Sequence, residues 1–301
     1  MGLFGWLRKK EKQTQEGEGK SNDRSSISNT QAPEAEIPDA GSGEKGKKRL
    51  SYSVANLQGV GRRERQEDSF AFVNAIDTGR MEREGLYCIV SDGMGGMEGG
   101  KAASERAVSV LTEDFQGLDR KGDLPGSMLK SMQRANDEVF SMLKGKGGCT
   151  AAVCLLFEEK LYAMSVGDSF IFLLRDGKLC KVNREHNRMN ELYMESIREG
   201  FPDPYRARQD IEAAALTHYI GMPVLDDVDL LRRPLKLKDG DKLLLCSDGV
   251  GGVIAEEELF RVLSELSPSA ACMEMDFLIQ GKRLPSQDNY TALVVQCSCT
   301  S

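Results

Sequence analysis

At 301 residues the chain has room for one large domain with a packed core or for two small ones, and its 40% hydrophobic content suits a globular protein. Forty basic against forty-seven acidic side chains leave a net charge of -7, which argues against the strongly basic face of a nucleic-acid binder. No apolar run reaches the roughly 20 residues that span a bilayer, and no cleavable secretory signal is read.

The first ten residues pair a short apolar cluster (Leu3, Phe4, Trp6, Leu7) with the basic run Arg8-Lys9-Lys10. Two readings stay open: weak contact with an anionic membrane surface, or a frayed start without a partner. The myristoylation pattern fails, because Trp6 stands where serine or threonine is needed. From residue 11 to residue 48 the chain is almost entirely Glu, Lys, Ser, Gly, Gln and Pro. Such a composition cannot bury enough surface to offset the entropy of ordering. Residues 1–48 are therefore expected to be a disordered tail, and residues 49–298 one folded domain. Nine basic and eight acidic residues fall in the tail, so the remaining 31 and 39 place the acidity in the domain.

Beyond residue 50, strands alternate with helices. Strands are predicted at 51–57, 69–73, 86–91, 149–157, 160–166, 170–174, 229–235, 242–247 and 290–296. Ala103, Ala107, Val110, Leu111 and Phe115 recur at helical spacing, as do Met128, Ala135, Val139 and Met142. A further helical pair is predicted at 256–263 and 268–278. Glu158-Glu159 and Asp176-Gly177 read as hairpin turns, which favours antiparallel sheets. The fold class expected is α+β: a central antiparallel β-sandwich flanked by pairs of antiparallel helices. The eight cysteines include no CxxC pair, and Cys88, Cys154 and Cys246 lie inside hydrophobic runs. They are expected to be reduced core residues of a cytosolic protein. The two histidines, His186 and His218, have no cysteine pair at ligand spacing, so zinc is not expected.

Two segments repeat one pattern: Cys88-Ile-Val-Ser-Asp92-Gly-Met-Gly-Gly96 and Leu244-Leu-Cys-Ser-Asp248-Gly-Val-Gly-Gly252. In each, an apolar strand ends in Ser-Asp-Gly. A buried strand fixes its last side chain at the sheet rim, where a carboxylate can be held for a ligand, and the glycines let backbone approach that ligand closely. Asp176-Gly177 and Asp239-Gly240, flanked by hydrophilic residues, read as plain turns instead. Three more carboxylate motifs border strands: Arg63-Glu-Arg-Gln-Glu67-Asp68, Val166-Gly-Asp168-Ser169 and Asp288-Asn289. Alone, the first would be a solvated charge run and the last an ordinary loop. Together they imply a cation, because carboxylates gathered in one place repel and are driven toward protonation. An all-oxygen ligand set favours Mg²⁺, Mn²⁺ or Ca²⁺ over zinc or copper. Two such ions roughly 3.5–4 Å apart can share a water, make it a nucleophile near neutral pH and hold a phosphoryl oxygen. A nearby arginine would supply the planar fork that grips a phosphate.

The order of these motifs resembles that of the metal-dependent protein phosphatases of the PPM, or type 2C, family, particularly its compact bacterial members. The matching segments are Arg63…Glu67-Asp68, Asp92-Gly93-Met94-Gly95-Gly96, Gly148-Cys149-Thr150-Ala151, Val166-Gly167-Asp168-Ser169, Ser247-Asp248-Gly249 and Asp288-Asn289-Tyr290-Thr291. The resemblance implies a PPM-type fold with metals in a channel at one end of the sandwich. It implies that Asp68, Asp92, Asp248, Asp288 and the Gly93 carbonyl hold two Mn²⁺ or Mg²⁺ ions, with Glu67 reaching metal through water. Arg63 would bind the substrate phosphate, and Asp168 would help form a third, weaker metal site. The segment 186–217 would be a variable flap, where Arg188, Tyr205, Arg206 and Arg208 could contact substrate. Position 94 is Met where animal members carry a histidine proposed as general acid, so protonation of the leaving oxygen would fall to metal-bound water near Asp168. His218 reads as polar packing rather than substrate contact.

The function this implies is a protein serine/threonine phosphatase, in which a water activated between two divalent metal ions attacks phosphoserine or phosphothreonine. The resemblance further implies phosphorylated protein substrates and a cognate Ser/Thr kinase pathway; the charge balance argues for no nucleic-acid partner, and the cysteines and the N-terminal cluster suit a cytoplasmic or membrane-peripheral location. The alternative is a catalytically silent phosphoprotein-binding or regulatory domain of the same fold. Loss of a metal carboxylate would mark that state, and none is missing. No Cys-x₅-Arg stretch suggests a cysteine nucleophile.

Overall fold

The run from Leu86 to Val90 is apolar at every position, so both of its faces must be covered. A computed structural model describes residues 49–95 and 99–299 and shows how this is done. The tail reading for 1–48, with its apolar and basic start, and Gly96 of the first glycine run lie outside the described residues.

In chain order the elements are β1 (Leu50–Gly59), β2 (Ser69–Val73), α1 (Thr78–Glu84), β3 (Leu86–Ser91), β4 (Gly93–Met94), α2 (Gly99–Asp114) and α3 (Leu124–Leu143). Next come β5 (Gly148–Cys149), β6 (Ala151–Phe157), β7 (Lys160–Val166), β8 (Phe170–Arg175), β9 (Lys178–Lys181), α4 (Arg188–Arg198) and α5 (Pro204–Gln209). The last are β10 (Asp229–Leu230), β11 (Leu235–Lys236), β12 (Lys242–Cys246), α6 (Asp248–Gly251), α7 (Glu256–Glu265), α8 (Pro268–Lys282) and β13 (Tyr290–Cys299). One antiparallel sheet runs β1-β13-β12-β8-β9; the other runs β10-β7-β6-β3-β2, with β11 also on β7.

Side chains alternate along each central strand, and the two faces feed two cores. Leu86, Cys88 and Val90 meet Leu243, Leu245, Leu293 and Val295 between the sheets. Tyr87 and Ile89 point the other way, into a core with Ala103, Ala107, Leu111, Met128, Met132 and Val139 of α2 and α3. On the far side, Leu244, Ala292 and Val294 pack under Leu259, Leu263, Ala271, Met275 and Ile279 of α7 and α8. The result is four layers, helices on both outer faces of an antiparallel sandwich, as expected. Both predicted hairpin turns carry positive φ at each central residue (Glu158 50°, Glu159 58°; Asp176 50°, Gly177 71°), the geometry that matches strand twist.

Several elements differ from expectation. The strand predicted at 229–235 is only its two ends, β10 and β11, separated by Leu231, Arg232, Arg233 and Pro234; proline has no N–H for the ladder. The strand predicted at 149–157 breaks at Thr150, whose N–H turns to the Asp92 carbonyl (2.8 Å). Helices α1, α4 and α5 were not foreseen; each is short and starts on an Asp or Asn cap. All eight cysteines are free, but Cys180 is exposed and Cys299 half-buried, so they are not uniformly core residues. No helix among the described residues is long and apolar enough to cross a membrane.

Candidate active site

Antiparallel register gathers the strand-edge motifs at one end of the sandwich. In one sheet Ser69 pairs with Ser91, Val90 with Ala152, and Ala151 with Val166. In the other, Phe170 pairs with Cys246, Cys246 with Ala292, and Gly59 with Tyr290. Each of Asp68, Asp92, Asp168, Asp248 and Asp288 lies within three residues of one of these rungs, so residues up to 220 positions apart meet there. A cleft of about 340 Å³ opens at this end, lined by Arg63, Glu67, Asp92, Gly93, Asp168, Asp248 and Asp288, with Met94, Gly95, Thr150 and Leu216. Asp68 is not among the lining residues; it is 4% exposed and sits just behind them.

Ordinary polar residues hold the carboxylates. Ser247 donates to Asp68 Oδ2 (2.8 Å) and accepts the Thr291 N–H (3.0 Å), tying two strands to one acid. Thr150 Oγ1 accepts the Asp92 N–H (3.0 Å) and lies 2.6 Å from Ser169 Oγ, beside Asp168. Asn289 accepts the Glu67 N–H (2.7 Å) and donates to the carbonyls of Val60 and Arg65 (2.9 Å each), fastening the Arg63–Glu67 loop. Gly93 packs backbone to backbone against Gly100 and Glu67, where a Cβ would meet the Glu67 carbonyl at 2.6 Å. Gly167 turns the chain into Asp168 at φ 92°, a conformation that favours glycine.

The electrostatics follow from burial. Asp68 is pushed up to about 6, first by desolvation and then by Asp248 and Asp288, against hydrogen bonds from Thr291 and Ser247. Asp168 is pushed up to about 7 by burial, then by Asp248 and Glu185. Burial also raises Asp92 well above the usual range, with Asp68, Asp248 and Asp168 adding to it, and raises Asp248. Two buried carboxylate oxygens, Asp68 Oδ1 and Asp248 Oδ1, have no hydrogen-bond partner. Buried anionic oxygens without partners are costly unless a cation satisfies them. With an all-oxygen donor set, these residues fit hard divalent ions. Among the described residues no three acidic, histidine or cysteine side chains already close on one point as a finished cage, as mutual repulsion would dictate.

Arg63 Nη2 donates to Asp288 Oδ2 (2.5 Å), leaving the rest of its fork for another oxygen. The flap residues named from sequence do not line the cleft: Arg188 pairs with Glu191 (3.4 Å), and Tyr205 is 70% exposed. Instead the flap contributes Leu216. His218 packs edge-on against His186 (5.6 Å between rings) and meets Asp226 at 3.1 Å, in keeping with polar packing. Thr150, Ser247 and Asn289 stood inside motifs, yet nothing in their own chemistry marked them as clamps. Leu216 opens the stretch Leu216-Thr-His218-Tyr-Ile-Gly221, which resembles the family's Leu-Thr-Arg-x-Leu-Gly, but an apolar residue there does not by itself mark a cleft wall.

Residues 52–198 match the sequence family described as Protein phosphatase 2C. A serine/threonine phosphatase stp of Listeria monocytogenes is 26% identical over 220 residues, covering 70% of this chain and 84% of that protein. The serine/threonine phosphatase of S. agalactiae superposes with a TM-score of 0.70 at 22% identity, over 82% of this chain and 99% of that one. The catalytic domain of the phosphatase PstP, solved in complex with 2 manganese ions, gives a TM-score of 0.63 at 22% identity, over 83% and 98% of the two chains. Family match, relatives and fold agree with the motif order: residues 52–198 are a Protein phosphatase 2C domain, and the chain is similar to bacterial serine/threonine phosphatases of that type.

Proposed function

We propose that the chain hydrolyses phosphoserine and phosphothreonine on proteins with the help of divalent manganese or magnesium. The observation that carries this reading is the gathering of buried, partner-poor carboxylates around a cleft that also holds an arginine fork. Asp68, Asp92, Asp248, Asp288 and the Gly93 carbonyl would hold two ions, Glu67 would approach through water, and Asp168 would serve a third. When bound, the ions supply positive charge for phosphoryl oxygens and the acidity that makes water a nucleophile near neutral pH.

The protein supplies positioning. Arg63 would orient the phosphate with the N–H groups not used on Asp288, while Met94 and Leu216 add apolar side chains to the cleft lining. Thr150 and Ser247 fix the strand ends so that the acids need little reorganisation. No imidazole lines the cleft, so the leaving oxygen would take its proton from water beside Asp168. Residues 49–298 would be sufficient for activity, with the tail dispensable. A Ser/Thr kinase as counterpart, a cytoplasmic location and N-terminal contact with anionic lipid belong to the same reading.

The purified chain should release phosphate from p-nitrophenyl phosphate and from a phosphothreonine peptide with manganese, and stop when a chelator is added. If the manganese-loaded protein binds the peptide and never releases phosphate, it is a binding domain instead. Removal of residues 1–48 should leave turnover intact.

A further inference from the structure

Behind the wall that bears Arg63 and Asp288 lies a second cavity of about 490 Å³, whose lining includes Val60, Arg62, Gln280, Arg283, Leu284 and Gln287. The two cavities share that wall. Arg62 lines one and Arg63 the other, and Gln287 and Asp288 divide in the same way. The Arg62 N–H donates to the Gln287 carbonyl (2.8 Å), which joins the two stretches. Neighbouring residues of the same two stretches face the two cavities, so an extended peptide rising about 3.3 Å per residue passes from one to the other within a few residues.

The second cavity differs chemically from the cleft. Val60 and Leu284, 41% and 38% exposed, give its lining an apolar part. Neighbouring charges are already matched. Lys282 is paired with Glu258 (2.7 Å), and Asp276 accepts from Tyr290 and Gln280 (2.8 Å each). Arg62 and Arg283 are both exposed, and neither has a carboxylate partner among the described residues. In a domain where acids outnumber bases 39 to 31, two open guanidinium forks over an apolar floor are a local reversal of charge.

We propose that this groove docks the substrate polypeptide beyond its phosphoresidue, seating an acidic side chain on Arg62 and Arg283 and an adjacent apolar one on Val60 and Leu284. The guanidinium fork matches a carboxylate in plane and spacing. Adjacency to the cleft across this shared wall makes the occupant the same polypeptide that presents the phosphate. The proposal rests on the phosphatase reading.

The test is steady-state kinetics of the full chain with manganese. Phosphothreonine peptides carry Asp-Leu three, four or five residues to either side of the phosphoresidue, with Ala-Ala controls and p-nitrophenyl phosphate as a reference too small to reach the groove. On one side the Asp-Leu peptide should show kcat/KM higher by about tenfold, mainly through KM, the size of one charge-assisted contact. Arg62→Ala/Arg283→Ala should erase that preference and leave p-nitrophenyl phosphate turnover unchanged. Leu284→Glu should push the acidic peptide below its control. Equal kcat/KM for all peptides on the natural protein, or a preference that survives the double substitution, would overturn the groove. Phosphate release from the controls would meanwhile leave the phosphatase reading standing. No release from any substrate would overturn both.

Discussion

Asp168→Asn separates what the site does for chemistry from what it costs the fold. Asp168 sits in the turn between β7 and β8, its carboxyl pushed up to about 7 from 3.8 by burial and by the charges of Asp248 and Glu185. A raised acid holds its proton more tightly in the folded state than in the unfolded one. Its contribution is therefore complete below pH 3.8 and is lost as pH climbs through 7. About three units at about 1.4 kcal/mol each put the loss near 4 kcal/mol at pH 8. Asparagine keeps the shape and cannot ionise. Without metal, the variant should match the natural protein at pH 4 and exceed it by about 3–4 kcal/mol at pH 8, a melting-temperature gain of about 10 °C for a domain this size. Manganese should narrow the gap, because a cation favours the ionised acid; ligand at a hundredfold above its Kd adds about 2.7 kcal/mol. Urea unfolding and thermal melts in chelator at pH 4, 6 and 8 would measure this. Parallel pH curves for the two proteins, or a variant less stable at pH 8, would refute the reasoning.

Other substitutions separate the roles further. Asp248→Asn should lower turnover by about 100-fold or more and raise the manganese needed for half-maximal rate, read from a metal titration of p-nitrophenyl phosphate hydrolysis. Arg63→Ala should raise KM for a phosphothreonine peptide by about tenfold with a smaller effect on kcat; an unchanged KM would remove Arg63 from phosphate binding. Ser247→Ala strips a donor from Asp68 and an acceptor from the Thr291 N–H, so urea unfolding should show a loss of about 1–3 kcal/mol.

What could be read from sequence divides along physical lines. The strands of the sandwich announce themselves because both faces of β3, β6 and β12 are buried, which leaves uninterrupted apolar runs closed by Ser-Asp-Gly or by a hairpin turn. The carboxylates are visible because an acid at the end of such a run is out of place unless something holds it. Thr150, Ser247 and Asn289 are quieter, since serine, threonine and asparagine occur in many strand ends and loops. Their importance lies in partners far away in the chain: 58 positions separate Thr150 from Asp92, 179 separate Ser247 from Asp68, and 222 separate Asn289 from Glu67. Local pattern carries no trace of such pairings. The flap is a related case: Arg188, Tyr205, Arg206 and Arg208 read in sequence as residues that could contact substrate, yet none lines the cleft, and Arg188 pairs with Glu191 one turn along its own helix.

These quiet residues explain how a fold tolerates so much negative charge in one place. Each clamp acts on a backbone group or on a single carboxylate oxygen: Ser247 reaches Oδ2 of Asp68 and leaves Oδ1 without a partner. A second donor on Oδ1 would lower the desolvation penalty and stabilise the domain, but it would also occupy the lone pairs a cation needs. Placing the orienting bonds on backbone and on Oδ2 fixes direction while leaving Oδ1 open. The raised acids are the consequence, and they make the site stable only in proportion to the positive charge it recruits. On this argument a substitution that adds a donor beside Asp68 Oδ1 would raise the melting temperature in chelator and diminish the rise produced by manganese. The opposite pairing, a gain with metal and none without, would show that the open oxygen is not where the cation is held.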